Sequence, residues 1–251
     1  MRPEDRLALE AEIAQRVQLA FLPTNCPQCE GLQIAARHRM AQGLGGDLYD
    51  FIPIDDHTSS VVIGDVIGHD LRSALTMSLI FGAVHTAGAR AEQPIVLLTL
   101  INELLCELNS QMAADVLLCS LCHLVIDRRR GTLRYANAGH PPPLLWRDTS
   151  TPVRLQPTTT LLGVQPQCDE TTRSESLTGA RHLLLYTDGI TEARDPSGSF
   201  FDERRIKDAV SAAEAMTPAE VIEQLLGAVE RHTRGDLADD ATAIMIRFTD
   251  T

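Results

Sequence analysis

Lysine is almost missing from this chain: Lys207 is the single one among 22 basic residues, which face 34 acidic residues for a net charge of −12. Binding a nucleic acid backbone takes a basic face. The one dense basic run, Arg128-Arg129-Arg130, stands before Gly131 between two strand-like stretches, where a solvated turn accounts for it. Nucleic acid is therefore excluded as a partner. No apolar run approaches the ~18 residues of a membrane span, and residues 1–30 lack the basic and apolar regions of a secretory leader. The expectation is a cytoplasmic chain without membrane contact. Internal repeats, low-complexity tracts and a central linker are also missing, so most of the 251 residues read as one folded unit.

Cysteine is sparse but suggestively spaced. Cys26-x-x-Cys29 and Cys119-x-x-Cys122 have the pair spacing of zinc ribbons. The second pair sits in the apolar run 116–126, which reads as a buried strand, and strand positions three apart face opposite sides. Cys26 and Cys29 flank Pro27 in a loop, where reduced, buried thiols are the more ordinary reading.

The pattern of apolar residues places a helix over 4–22, with Leu9, Ile13, Val17 and Ala20 at helical spacing and a Glu12–Arg16 pair, stopped by Pro23. Strands are expected at 32–40, 48–54 and 60–66, then helices at 71–90, apolar at Leu75, Leu79 and Ala83, and at 94–111. Further strands are expected at 116–127, 132–137, 143–146, 171–177 and 182–187, helices at 202–214 and 218–234, and a strand at 241–248. Strands and helices come in blocks, which points to an α+β fold with mainly antiparallel sheets.

Four stretches set aspartates beside glycine or a second carboxylate where strands give way to loops. They are Gly45-Gly46-Asp47-Leu48-Tyr49-Asp50, Gly64-Asp65-Val66-Ile67-Gly68-His69, Tyr186-Thr187-Asp188-Gly189-Ile190 and Asp239-Asp240-Ala241-Thr242. Turn formation alone explains any one of them. Together, acids gathered from distant segments would repel one another at a cost of several kcal/mol per ion unless a cation sits among them. Oxygen-only ligands favour Mg²⁺ or Mn²⁺ over zinc.

With Asn137-Ala138-Gly139-His140-Pro141-Pro142, these boxes resemble, in order and over nearly the whole chain, the metal-dependent serine/threonine protein phosphatases of the protein phosphatase 2C-like (PPM) family, in their bacterial SpoIIE/RsbU-like branch. The resemblance implies a four-layer α-β-β-α sandwich, two mainly antiparallel sheets flanked by helix pairs, spanning 25–251, with 1–24 as a linker or regulatory helix. It implies two divalent cations, Mn²⁺ or Mg²⁺, activating a water. Asp65 would bridge them, with the Val66 carbonyl, Asp188, Asp239 and Asp47 as further ligands, Asp47 directly or through water. Asp65, Asp188 and Asp239 would thus carry catalysis; Asp240 would orient its neighbours. His69 is a candidate acid for the leaving group or a helix-entry hydrogen bonder. Tyr49, Asp50 and His140 read as supports of the fold. Asp70 stands where many relatives have glycine and can cap the next helix.

The implied partner is a phosphoserine or phosphothreonine protein, such as an anti-sigma-factor antagonist. An upstream sensor or receiver domain and a homodimer through the first helix are also implied. That helix should pack on the core, pair with a second copy, or alternate between the two. A haloacid-dehalogenase reading is disfavoured because Tyr186 stands where its nucleophilic aspartate belongs. The competing functions are a non-catalytic partner-binding regulatory module on the same fold and a structural zinc protein.

Overall fold

Strands that carry apolar residues on both faces must be covered on both, which places sheets in the interior with helices outside them. The computed structural model describes residues 2–249 except 28, 42, 69, 113–115, 148–150, 168–170 and 212–215. Helix α1 (Pro3–Phe21) leads to β1 (Leu32–Arg39), β2 (Asp47–Pro53) and β3 (Thr58–Val66), then to α2 (Leu71–His85) and α3 (Pro94–Gln111). Next come β4 (Cys119–Asp127), β5 (Thr132–Ala138), β6 (Leu144–Trp146), β7 (Val153–Arg154), β8 (Arg173–Ser176) and β9 (His182–Tyr186). The one-turn α4 (Asp188–Thr191), α5 (Asp202–Ser211), α6 (Pro218–Thr233) and β10 (Ala241–Phe248) follow. One sheet has the order β1-β10-β9-β6-β7 and the other β2-β3-β4-β5-β8, with antiparallel pairing between neighbouring strands.

Three cores stack these elements into four layers. Tyr49, Ile63, Leu124, Leu185 and Ile244 meet between the sheets. Met77, Ile80, Leu97 and Ile101 of α2 and α3 pack on Leu48 and Leu121 of the second sheet. Ile206, Ile222 and Leu225 of α5 and α6 pack on Leu184 and Met245 of the first. Each large side chain so buried contributes about 1.5–3 kcal/mol. This is the α-β-β-α sandwich that the resemblance implied.

Alternation along β4 sends Cys119 toward the helices and Cys122 between the sheets, so the two cannot share one ion. Cys29 is buried and Cys26 half-buried, both as free thiols. Arg128-Arg129-Arg130 forms the β4–β5 turn, with Arg130 paired to Asp127 at 3.1 Å.

Several boundaries differ from the sequence reading. Residues 116–118 precede β4: the Asn109 side chain accepts from the Leu117 N–H at 2.7 Å and donates to its carbonyl at 3.0 Å, which takes this backbone out of the ladder. Helix α2 stops at His85, and a 3₁₀ turn (Gly88–Glu92) follows, entered through Gly88 at φ +53°. Leu75 and Leu79 lie on the solvent side of α2, 63% and 41% exposed, while Ala74, Met77, Ile80, Phe81 and Val84 face the sheet. The helix is apolar on more than one face, so spacing alone picked the wrong stripe. The same holds for α1: Ile13 and Val17 are 44% and 51% exposed, and its ion pairs among the described residues are Arg2–Asp5 at 2.9 Å and Arg6–Glu10 at 2.8 Å. Packing of α1 rests instead on Phe21, stacked on Phe81 at 5.5 Å, and on buried Gln18, whose amide oxygen accepts from the Gly45 N–H at 3.1 Å.

Candidate active site

Strand alternation predicts which side chains fill the gap between the sheets. In β2, Tyr49 and Phe51 point inward, so Asp47 does too; in β3, Val61 and Ile63 carry Asp65 with them. In the opposite sheet Ala36 sets the direction of His38, Leu183 and Leu185 that of Thr187, and Ile244 and Ile246 that of Thr242. At one end of the sandwich the apolar filling therefore gives way to polar side chains from both sheets. Asp47 and Asp65 are direct cross-strand partners, a like-charge pairing that opposes folding unless it is compensated.

The loops after β9 and before β10 bring the remaining acids to the same end. Asp188 opens α4, and Asp239 accepts from the Asp240 N–H at 2.8 Å. Gly189 lets these loops meet, since a Cβ there would come 2.8 Å from the Asp240 carbonyl carbon. Burial, then Asp188, Asp239 and Asp240, push the Asp65 carboxyl up to about 8. Burial and Asp239 also raise Asp188. Burial and the Asp65 charge raise Asp47 despite hydrogen bonds from two threonines. Protonation or a cation would relieve this repulsion.

A small hard cation fits these residues. Gly46 leaves a cradle on one side of Asp65: a Cβ would stand 2.7 Å from Asp65 Oδ1 and closer still to the Val66 carbonyl oxygen. Both oxygens stay uncovered there because position 46 has no side chain. Among the described residues no three histidine, cysteine, aspartate or glutamate side chains stand close enough together to hold a metal ion as they are placed. The acids gathered here offer oxygen ligands only, the kind taken by Mg²⁺-like ions, which keep several waters and use one or two carboxylates each.

Asp47, Asp65, Val66, Asp188 and Asp239 thus gather at one end of the sheets, whereas His69 lies outside the described residues. Asp240 is buried and accepts from the Ala41 N–H at 2.9 Å. Asp70 caps α2, accepting from the Ser73 N–H at 3.0 Å. Tyr49 donates to the Pro23 carbonyl at 3.1 Å, and Asp50 meets His85 at 2.9 Å. His140 is buried in a turn clasped by Asn137, with burial pulling its pKa down to about 3. Sequence reasoning missed His38 and the roles of Thr187 and Thr242, because only the β1–β10 register sets His38 opposite Thr242.

The sequence profile described as Stage II sporulation protein E (SpoIIE) matches residues 55–249. The chain belongs to the SpoIIE family. Within reach of this SpoIIE-family chain, the phosphoserine phosphatase RsbP of Bacillus subtilis is 32% identical over 232 residues, covering 90% of the chain and 55% of RsbP. The chain spans about half the length of the curated relatives it matches. Among solved structures, the SiaA-PP2C domain of Pseudomonas aeruginosa superposes with a TM-score of 0.82 at 20% identity, covering 98% of both chains. RsbX in complex with magnesium gives 0.65 at 15% identity, covering 90% of this chain and 99% of RsbX. At such identities the likeness is one of fold. No helix among the described residues is long and apolar enough to cross a membrane.

Proposed function

We propose that this chain is a metal-dependent protein phosphatase that removes phosphate from phosphoserine or phosphothreonine on a small signalling protein, with an anti-sigma-factor antagonist as the substrate class. The carrying observation is the convergence of Asp47, Asp65, Asp188 and Asp239 from both sheets, with Asp65 raised to about 8 by burial and its acidic neighbours. Membership in a family with the phosphoserine phosphatase RsbP supports the same reading. Two divalent cations of the Mg²⁺ or Mn²⁺ type, when bound, would supply an activated water and neutralise the phosphoryl charge.

In this reading Asp65, Asp188, Asp239 and the Val66 carbonyl would hold the cations, with Asp47 as a further ligand directly or through water. Asp240 orients the 239–242 loop through Ala41. His69 is assigned to leaving-group protonation. The gathered acids would repel a phosphorylated peptide by themselves, so binding of substrate depends on the cations. EDTA should therefore abolish hydrolysis of p-nitrophenyl phosphate, and Mn²⁺ or Mg²⁺ should restore it, with no zinc required. Steady-state rates with metal analysis test this. Activity that survives chelation, or stoichiometric zinc retained on Cys26 and Cys29, overturns the assignment; no hydrolysis under any metal favours the partner-binding module.

Residues 1–24 are assigned to regulation and 25–251 to catalysis. The exposed Leu9, Ile13 and Val17 leave an apolar stripe on α1 without cover among the described residues. A second copy or an upstream sensor domain is the proposed partner. Replacing Ile13 and Val17 together by glutamate should change the oligomeric state or the basal turnover while leaving cation binding intact. Light scattering and turnover that both match the unsubstituted chain would reduce α1 to a passive arm.

A further inference from the structure

Asp47 spends one carboxylate oxygen twice. Its Oδ2 accepts from the Thr187 hydroxyl at 2.9 Å and from the Thr242 hydroxyl, so strands of one sheet grip an acid of the other. Each hydroxyl has one proton to give. Thr187 Oγ1 also accepts from the Thr242 N–H at 3.0 Å, and its own proton points to Asp47 at 2.9 Å in preference to the Asp240 carbonyl at 3.4 Å. Thr242 Oγ1 lies 2.9 Å from His38 Nδ1, and His38 and Thr242 are direct partners in the β1–β10 ladder. With Asp47 ionised, as it would be beside a cation, the Thr242 proton goes to Asp47 and the hydroxyl accepts from His38, which places the imidazole proton on Nδ1. The His38 ring is 3.9 Å from Asp47 Oδ2, so it acts on the acid through Thr242 and not by direct contact.

We propose that His38 is a positioning residue for the metal centre: by donating to Thr242 it commits the threonine proton to Asp47 Oδ2 and holds the carboxylate with Oδ1 presented to a cation or its water. The proposal rests on the metal-dependent reading above. Two donors converging on Oδ2 prevent rotation about the Cβ–Cγ bond, and the donor pair is itself tethered by a register contact three strands wide: β1, β10 and the end of β9. Outer partners of this kind set the orientation of ligands, and their loss typically costs 10- to 100-fold in metal affinity.

The test uses the full chain and Mn²⁺ titrations followed by calorimetry and by electron paramagnetic resonance, with thermal melts alongside. His38→Leu removes the donor and should weaken Mn²⁺ binding about tenfold. His38→Asn keeps an N–H one bond from Cγ, where Nδ1 stands, and should restore binding to within about threefold of the unsubstituted chain. Thr242→Val should behave like His38→Leu, and Thr242→Ser like His38→Asn. Unchanged affinity in His38→Leu overturns the proposal. Equal losses in His38→Leu and His38→Asn, with both melting lower, also overturn it, because the ring would then serve packing alone. Failure of the unsubstituted chain to take up Mn²⁺ removes the metal-dependent reading itself, and is distinct from either result.

Discussion

Asp65→Ala is expected to lower phosphatase turnover by roughly a thousandfold or more, while the metal-free protein melts at a higher temperature than the unsubstituted chain. The two effects have one origin. Asp65 lies opposite Asp47 and is raised to about 8 by burial and by Asp188, Asp239 and Asp240, so its charge is costly when no cation is present. Removing it relieves roughly 2 kcal/mol of repulsion, which for a chain of this size raises the melting temperature by about 4–8 °C. With Mg²⁺ added, the order should reverse, because only the unsubstituted chain gains stability from the ion. Steady-state kinetics and paired melts with EDTA or Mg²⁺ measure both. Turnover in Asp65→Ala within a few-fold of the unsubstituted chain would remove Asp65 from the centre.

Stability of the metal-free protein should rise as pH falls from about 8.5 to 7, by roughly 0.5 kcal/mol per pH unit once the histidines below are counted. Asp65 has a folded pKa near 8, far above that of an unfolded aspartate, so the folded chain binds the extra proton across this window. A raised carboxyl contributes instability above its folded pKa that fades as pH falls through it. Asp47 and Asp188 are shifted in the same direction. Below about pH 7 three buried histidines outweigh this: burial lowers His38 and His123 to about 4 and His140 to about 3, so folding there displaces protons that the unfolded chain would keep. A maximum near pH 7 is the expected outcome in EDTA. Saturating Mg²⁺ should flatten the alkaline limb, since the cation holds the carboxylates ionised. Melts at pH 6.5, 7.5 and 8.5 decide it: a metal-free protein that gains stability toward pH 8.5 contradicts the repulsion among these acids.

The α+β class and the acidic strand ends were legible from local pattern, whereas the four-layer sandwich was legible only through the resemblance carried by the ordered motifs. Long apolar runs such as Val61-Val62-Ile63 can only be strands covered on both sides, and Gly-Asp or Asp-Gly after such runs marks their ends. Helix faces were less legible. On α2 nearly every position is apolar, and the choice between the Leu75–Leu79 stripe and the Met77–Ile80–Val84 stripe is made by the sheet that the helix meets, which its own spacing does not encode. The limits of β4 also depended on a distant contact, since the Asn109 amide holds Leu117 out of the ladder. His38 was invisible for the same reason: nothing within β1 marks it, and its meaning comes from lying opposite Thr242, more than two hundred positions away.

The two sheets contribute different acids to one place, yet over most of their length apolar contact alone sets their spacing, through residues such as Ile63, Leu124, Leu185 and Ile244. The core thus works as a caliper whose jaws are Asp47 and Asp65 on one side and Asp188 and Asp239 on the other. Small ions with ligand distances of about 2.0–2.1 Å and larger ones at about 2.3–2.6 Å call for different openings. Close-packed interiors transmit a change of even one methylene, so under the proposed metal-dependent reading the volume of side chains that never approach an ion would be part of the basis on which one cation is preferred to another.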